Sequence, residues 1–200
     1  MGGAIDFYFD FASPYGYFAS LTVDAVAARH GRAVRWRPIL LGAVFKVTGM
    51  KPVLSQPLRG EYLTHDVGRI ARFTGAPFTF PESMPVNGLA ACRAYWWLAD
   101  RHPEEAKLLA QSLLSDHWVK GLDIGPAERV VEAAGRLGHD PATVSAALGD
   151  DQVKARLRDE VDEAIGHGVF GSPFFIVDDE PFWGWDRLDM LDRWLETGGW

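Results

Sequence analysis

The residues in this sequence best suited to chemistry begin at Ser13, where an apolar run over residues 5–11 stops at a Ser-Pro pair. A serine followed by proline commonly caps the first turn of a helix, and this structural role is the simpler interpretation. A helix start can also hold an anion, because it offers unpaired N–H groups and the positive end of the helix dipole. A thiol bound there would have its pKa lowered from about 8.5, so Ser13 is a candidate catalytic residue.

Two stretches near the other end of the chain carry further candidate residues. Ser172 precedes Pro173 and the β-rich segment "FFIV". A cis bond at this proline would expose the main chain of Ser172 for β-like pairing with an extended peptide, whereas a trans bond would make an ordinary loop. The position ahead of a β-rich strand favours the cis bond. In "FWGWDRLDML", Asp186 either caps the last helix or receives the amino group of a bound amino acid.

The elements that must position these residues are read from the hydrophobic pattern. "AIDFYFDF" and "AVRWRPIL" predict strands joined by one helix, which ends at His30-Gly31. The buried face of that helix is predicted to carry Phe18, Leu21, Ala25 and Ala28. Helical patterns without a strand fill residues 60–168, and the strands "FFIV" and "PFW" then precede a closing helix.

This order of elements predicts an α/β fold, namely a thioredoxin-like sheet with a large all-helical insertion. We expect a discontinuous thioredoxin-like domain over residues 1–50 and 168–200, with an inserted helical subdomain over residues 51–167. In such a fold "SPYG" stands where redox proteins carry C-x-x-C, with Ser13 and Gly16 replacing the two cysteines. Dithiol–disulfide exchange by the chain itself is therefore close to excluded.

Composition narrows the function classes further. A net charge of −7 without a dense Lys/Arg face argues against a nucleic-acid partner, and no apolar run is long enough to span a membrane. The single cysteine, Cys92, cannot form an internal disulfide, which favours a cytoplasmic protein, and its helical context predicts a small buried residue. The scattered histidines predict no metal site.

Taken in order along the chain, several motifs resemble one family. They are Ser13-Pro14-Tyr15, "LGAVFKVTG", "EYLTHDVGRIA", "PVNGLAACRA", "HWVKGLDI", "VKARL" and "GVFGSPFFIVDDEPFWGWDRLDML". The chain resembles 2-hydroxychromene-2-carboxylate isomerases, which belong with kappa-class glutathione transferases and DsbA-like proteins. The resemblance runs from about residue 5 to about residue 196. It implies a glutathione-dependent enzyme that forms a homodimer.

The resemblance also implies roles for individual residues. Ser13 matches the serine that hydrogen-bonds the glutathione sulfur. Ser172, before the matching Pro173, pairs with the cysteinyl backbone of glutathione. The main chain of Trp185 and the carboxylate of Asp186 match the contacts to the γ-glutamyl group.

The segment after residue 48 holds one further match and one departure. Arg59 falls where kappa-class members carry a basic residue that reaches the glycyl end of glutathione. The family often reads T-G-N-K-P-P, whereas this chain reads "TGMKPV" with Met50 in place of the asparagine. One hydrogen bond to glutathione is therefore lost, and a neutral bond contributes only ~0.5–1.5 kcal/mol.

By resemblance, the reaction converts 2-hydroxychromene-2-carboxylate to trans-o-hydroxybenzylidenepyruvate. The glutathione thiolate adds to a conjugated carbon of the ring-opened substrate, a bond rotates, and the thiolate is eliminated. The substrate is a small aromatic carboxylate. The candidate substrate-pocket residues are Tyr15, Phe45, Lys46, Asn87, Arg93 and Trp183, and each of them also has an ordinary core, turn or surface interpretation.

Two other functions stay open at this point. A kappa-like transferase that conjugates glutathione to electrophiles would share every site residue. A non-catalytic module that binds peptides or thiols in the same groove is a third hypothesis, which the loss of the asparagine at Met50 favours slightly.

Overall fold

The computed structural model describes residues 3–200, and at its centre lies a four-stranded sheet. The strands are β1 Ile5–Phe9, β2 Val34–Pro38, β3 Phe174–Val177 and β4 Glu180–Trp183, in the spatial order β2-β1-β3-β4. β1 and β2 are parallel, whereas β3 is antiparallel to both β1 and β4. Because Tyr8 lies opposite Phe174, the end of β1 stands beside the start of β3.

Helices and short 3₁₀ turns form most of the remaining chain. The helices are α1 Pro14–Ser20, α2 Val23–Arg29, α3 Leu41–Thr48, α4 Arg59–Thr74, α5 Leu89–Ala99, α6 Pro103–Trp118, α7 Ala127–Arg136, α8 Pro141–Gly149, α9 Asp151–Gly166 and α10 Leu188–Thr197. The 3₁₀ turns are Val53–Ser55 and Trp185–Arg187. Between β2 and β3, residues 39–173 contain helices and loops alone, so the predicted sheet with a helical insertion is confirmed. The division into two subdomains stays a prediction.

The first strand is buried on both faces, as its sequence predicts. Ile5, Phe7 and Phe9 have no exposed surface. The Phe7 ring stacks on Phe175 with centroids 5.4 Å apart and meets the edge of Trp36 at 5.3 Å. Such aromatic pairs add to the burial of their large surfaces, so β1 gives a well-packed base to the segment that follows it.

The single helix predicted after β1 is wrong. The helix is interrupted at Leu21, between α1 and α2, and the Leu21 side chain is 50% exposed. Ala25 and Ala28 are exposed as well, whereas Val23 and Val26 are buried. α2 begins a new helix with its own orientation. Its buried residues are therefore shifted by one to two positions along the sequence from the predicted ones.

The structure also contains a short helix that the sequence analysis did not predict. α3 follows directly after β2 and ends at Gly49, whose φ of 73° is easily reached by glycine. The N–H of its first residue, Leu41, is bound by a carboxylate from the end of β1. None of the helices over residues 3–200 is long and apolar enough to cross a membrane.

Candidate active site

Ser13 lies at the junction of β1 and α1 and is almost fully buried. It is the N-cap of α1, since its Oγ accepts a hydrogen bond from the N–H of Gly16 at 3.1 Å. The same hydroxyl donates to the main-chain carbonyl of Ser172 at 2.9 Å. The hydroxyl therefore both caps the helix and ties it to a loop 159 residues further along the chain.

That loop contains the predicted cis proline. The Ser172–Pro173 bond is cis, and the Ser172 Oγ accepts a hydrogen bond from the N–H of Asp10 at 2.9 Å. Gly16 lies under this side chain, because a Cβ at residue 16 would stand 2.8 Å from the Ser172 Oγ. A side chain at the position of the second redox cysteine would thus displace Ser172, so this site needs glycine.

The main-chain N–H groups of Tyr15, in the first turn of α1, and of Ser172 have no acceptor among residues 3–200. The sequence analysis expected both polar groups of the Ser172 main chain to be available, but its carbonyl is bound to the Ser13 hydroxyl. The site therefore offers donors for an anion and a peptide, together with one carbonyl that must first lose its present partner.

Asp10, the residue after β1, is a functional candidate that the sequence analysis missed. Its two carboxylate oxygens accept hydrogen bonds from the N–H groups of Ala12 at 2.8 Å and Leu41 at 2.7 Å. Burial raises the pKa of this carboxyl, although both hydrogen bonds act in the opposite direction. Asp10 therefore connects the loop before Ser13 to the start of α3. The sequence signal is an acid placed directly after a buried strand.

The turn after β4 reaches the same loop from the other side. The N–H of Gly184 donates to the carbonyl of Pro173 at 3.1 Å, and the Trp185 ring lies 6.4 Å from that of Phe18 in α1. Asp186 does not cap α10, which has no side-chain cap, so the capping interpretation is wrong. Its exposed carboxylate pairs with the guanidinium of Arg187 at 2.8 Å.

Trp183, the last residue of β4, covers the glycine that precedes Ser172. A Cβ at Gly171 would collide with the Trp183 indole, whose ring also meets the edge of Phe170 at 4.8 Å. Half of the Trp183 surface is exposed. This predicted pocket residue therefore stands beside the cis-proline loop with one open face.

Tyr15 links the start of α1 to α4. Its hydroxyl donates to Asp66 Oδ2 at 2.8 Å, and burial, followed by this carboxylate, raises the Tyr15 pKa. Arg59, the first residue of α4, is exposed and donates to the Gln56 side chain at 2.8 Å. Because Arg59 and Asp66 are seven residues apart, they share the face of α4 that turns toward Tyr15.

The remaining predicted residues have no recorded contact with Ser13 or Ser172. Phe45 and Lys46 lie in α3, and Asn87 accepts a hydrogen bond from the Leu89 N–H at the start of α5. Arg93 donates to the carbonyl of Leu148 and lines a different cavity. Met50, which replaces the family asparagine, is 37% exposed just after α3.

Comparison with known proteins agrees with this geometry. A family model described as DSBA-like thioredoxin domain matches residues 4–196. The chain belongs to this family. This DSBA-like chain is 28% identical over 197 residues to 2-hydroxychromene-2-carboxylate isomerase of Sphingobium xenophagum, covering 98% of the chain and 99% of the relative.

Other similar proteins span nearly the whole DSBA-like chain too. Glutathione S-transferase kappa 1 of Rattus norvegicus is 22% identical over 208 residues, covering 96% of this chain and 92% of the relative. A solved structure of 2-hydroxychromene-2-carboxylate isomerase superposes with a TM-score of 0.88 at 26% identity, covering 97% of this chain and 95% of that one. The resemblance inferred from the motifs is thus confirmed.

Unlike redox members of the fold, this DSBA-like chain has no thiol at the site. Its only cysteine, Cys92, lies in α5 without exposed surface, as predicted. Burial raises the Cys92 pKa well above its ordinary value, so its thiol is protonated at neutral pH. Any thiol chemistry at Ser13 therefore needs sulfur from a bound molecule. Among residues 3–200, no cluster of His, Cys, Asp and Glu could hold a metal ion.

Proposed function

We propose that the chain is a glutathione-dependent isomerase that converts 2-hydroxychromene-2-carboxylate to trans-o-hydroxybenzylidenepyruvate. The observation that carries this proposal is the Ser13 hydroxyl, held at the start of α1 against the cis-proline loop in a site without a thiol. The relatives named as isomerases support the reaction type. When bound, glutathione would supply the nucleophilic thiolate that this chain lacks.

The residues at the site fit glutathione. The unpaired N–H of Tyr15 and the positive end of the α1 dipole suit an anion beside Ser13. The unpaired N–H of Ser172 suits a peptide carbonyl in β-like pairing. Asp186, an exposed carboxylate that pairs with Arg187 and caps no helix, would accept the γ-glutamyl amine beside the main chain of Trp185.

The Ser13 hydroxyl has one hydrogen and two acceptors that compete for it. In the structure, this hydrogen goes to the carbonyl of Ser172. A peptide N–H that pairs with that carbonyl would replace Ser13 and release the hydroxyl to donate to an anion at the helix start. The N–H of Gly16 continues to hold the Ser13 oxygen in place, so a rotation about the C–O bond suffices.

The substrate is a flat aromatic carboxylate, and Tyr15 and Trp183 are the predicted wall residues nearest to the site by their contacts. Arg59, on the α4 face shared with the Tyr15 partner, would meet the glycyl carboxylate of glutathione. The proposal includes the cytoplasmic location and the homodimer that the family resemblance implies.

A second candidate is a kappa-like glutathione transferase, favoured by the kappa-class relatives that align with 96% of the chain. It would use the same donors at Ser13 and Ser172 to bind glutathione. The two functions differ in the product, since the transferase releases a stable conjugate and the isomerase returns its thiol unchanged.

Turnover of 2-hydroxychromene-2-carboxylate, measured with and without glutathione, tests the proposal. We expect isomerisation that depends on glutathione without consuming it. An isomerase rate that stays the same after glutathione is removed would overturn the mechanism. A stable conjugate with a model electrophile, without isomerisation, would select the transferase. Binding of extended peptides but not of glutathione in calorimetry would select the non-catalytic module.

A further inference from the structure

Arg93 is a partly buried cation without a carboxylate partner. It lies one turn into α5, where its Nη1 donates to the carbonyl of Leu148 at 3.2 Å. Its Nε is buried and has no hydrogen-bond partner among residues 3–200, and no acid of this part of the chain forms an ion pair with it. The partly buried guanidinium thus has one carbonyl partner and no counter-charge, so its remaining donors are suited to bind an external anion.

The Arg93 side chain lines a half-open cavity of about 220 Å³ between α3, α5 and α9. The wall is mostly apolar and includes Leu40, Leu89, Leu157 and Val161. This cavity adjoins the base of the Ser13 segment without sharing its residues. Leu41, next to the wall residue Leu40, donates its N–H to Asp10, and a Cβ on Gly88, next to the wall residue Leu89, would stand 3.6 Å from Asp10 Oδ1.

Two more cations reach the same cavity from α9. Arg158 is exposed and forms no ion pair within residues 3–200, and Lys154 pairs only with the fully solvated Asp151. One acid, Asp162, also lines the cavity, so three cations stand against one carboxylate. The apolar wall with an excess of positive charge is complementary to a molecule that has an apolar body and an acidic end.

We propose that this cavity binds the carboxylate of a small organic acid, with the acid group between Arg93 and Arg158 and the apolar body against Leu89 and Leu157. The volume of 220 Å³ lies below the about 300–1,000 Å³ typical of drug-sized ligands, which limits the body to roughly one ring. The site does not depend on the Ser13 chemistry.

Benzoate is a suitable probe, and benzamide is its uncharged analogue of the same shape. Calorimetry of the full chain, saturated with glutathione, should detect benzoate and give at least ~10-fold weaker binding of benzamide, because a charge-assisted bond to arginine is lost. Arg93→Gln should weaken benzoate ~10-fold or more. Arg158→Gln, on an exposed side chain whose loss leaves the fold intact, should weaken it ~2- to 5-fold.

Arg72→Gln is the matched control, since it removes one exposed cation from α4 outside the cavity. Equal binding of benzoate and benzamide would overturn the proposal. The proposal would also be overturned if the Arg93→Gln and Arg158→Gln variants bound benzoate as tightly as the Arg72→Gln control. Absence of binding at millimolar benzoate would overturn it as well.

The acid could be the carboxylate end of the isomerase substrate or a separate small acid. The KM of Arg158→Gln distinguishes them, and this arm alone rests on the proposed function. A KM that rises in parallel with the benzoate Kd supports the substrate, whereas an unchanged KM with weakened benzoate supports a separate acid. The binding experiment needs no turnover, so a failure of the proposed function leaves its result interpretable.

Discussion

Replacing Ser13 with alanine separates its structural role from its chemical role. The change removes the cap on the Gly16 N–H and the bond to the Ser172 carbonyl. A lost N-cap costs ~1 kcal/mol, and a neutral hydrogen bond contributes ~0.5–1.5 kcal/mol. The free energy of unfolding should therefore fall by ~1.5–2.5 kcal/mol. For a chain of 200 residues this lowers Tm by ~3–10 °C.

The effect of Ser13→Ala on turnover should be larger than its effect on stability. A hydrogen bond to a charged group contributes ~1.5–3 kcal/mol, which corresponds to a ~10- to 150-fold lower kcat with saturating glutathione. The control is Ser20→Ala, since the Ser20 hydroxyl donates to the Tyr17 carbonyl at 2.6 Å at the far end of α1. It removes a comparable buried bond and should lower Tm while leaving kcat within a factor of two or so.

The assays are isomerase kinetics, thermal unfolding, and the pH dependence of thiolate absorbance of bound glutathione. In Ser13→Ala the bound thiol should ionise at a higher pH than in the unmodified protein, because its anion has lost a donor. If Ser13→Ala loses stability but keeps full kcat and an unshifted thiol, Ser13 is only a helix cap and the proposed mechanism fails.

Three further predictions follow from the geometry of the site. Gly16→Ala should lower the free energy of unfolding, measured by chemical denaturation, by ~1–3 kcal/mol, because its Cβ would stand 2.8 Å from the Ser172 Oγ. The control Gly42→Ala, with open space around it in α3, should raise that free energy by ~0.5–1 kcal/mol. Equal effects of the two substitutions would contradict the packing argument. Asp186→Asn should weaken glutathione binding up to about fivefold in calorimetry while leaving Tm unchanged, since its carboxylate is exposed and caps no helix. An equal loss of affinity in the control Asp189→Asn would indicate an effect of net charge instead. Cys92 should resist iodoacetamide in native buffer and react only as the chain unfolds, because burial keeps its thiol protonated; rapid native alkylation would show that the thiol is accessible.

The strands were predictable because burial dictates their composition. β1 is apolar at every position but Asp6, since both of its faces are covered, and this pattern appears in the sequence alone. The break between α1 and α2 at Leu21 was not predictable, because no glycine or proline marks it and the two helices bury different faces. α3 was missed because its eight residues continue the apolar run that ends β2, and no polar N-cap residue marks its start at Leu41.

Within the site, the positions of the residues were easier to predict from the sequence than their hydrogen-bond partners. Ser13 and Ser172 could be brought together from the sheet order, because one follows β1 and the other precedes β3. The acceptor of the Ser13 hydroxyl could not be predicted, since it is a carbonyl 159 residues away. Asp10 was overlooked for a similar reason, because its role depends on the N–H of Leu41 in a helix that the sequence did not indicate.

The local geometry explains why the nucleophile should come from a ligand. A thiol at position 16 would collide with the Ser172 side chain, and the Cys92 thiol is closed off in α5. The unpaired Tyr15 and Ser172 N–H groups, by contrast, favour a molecule that carries an anion and a peptide group together. In the proposed mechanism a peptide N–H that reaches the Ser172 carbonyl frees the Ser13 hydrogen, so binding of the peptide and stabilisation of the anion would be coupled. A thiol without an amide N–H would leave the Ser172 carbonyl competing for the Ser13 hydrogen, and the site would then discriminate by the backbone of its ligand as well as by the sulfur.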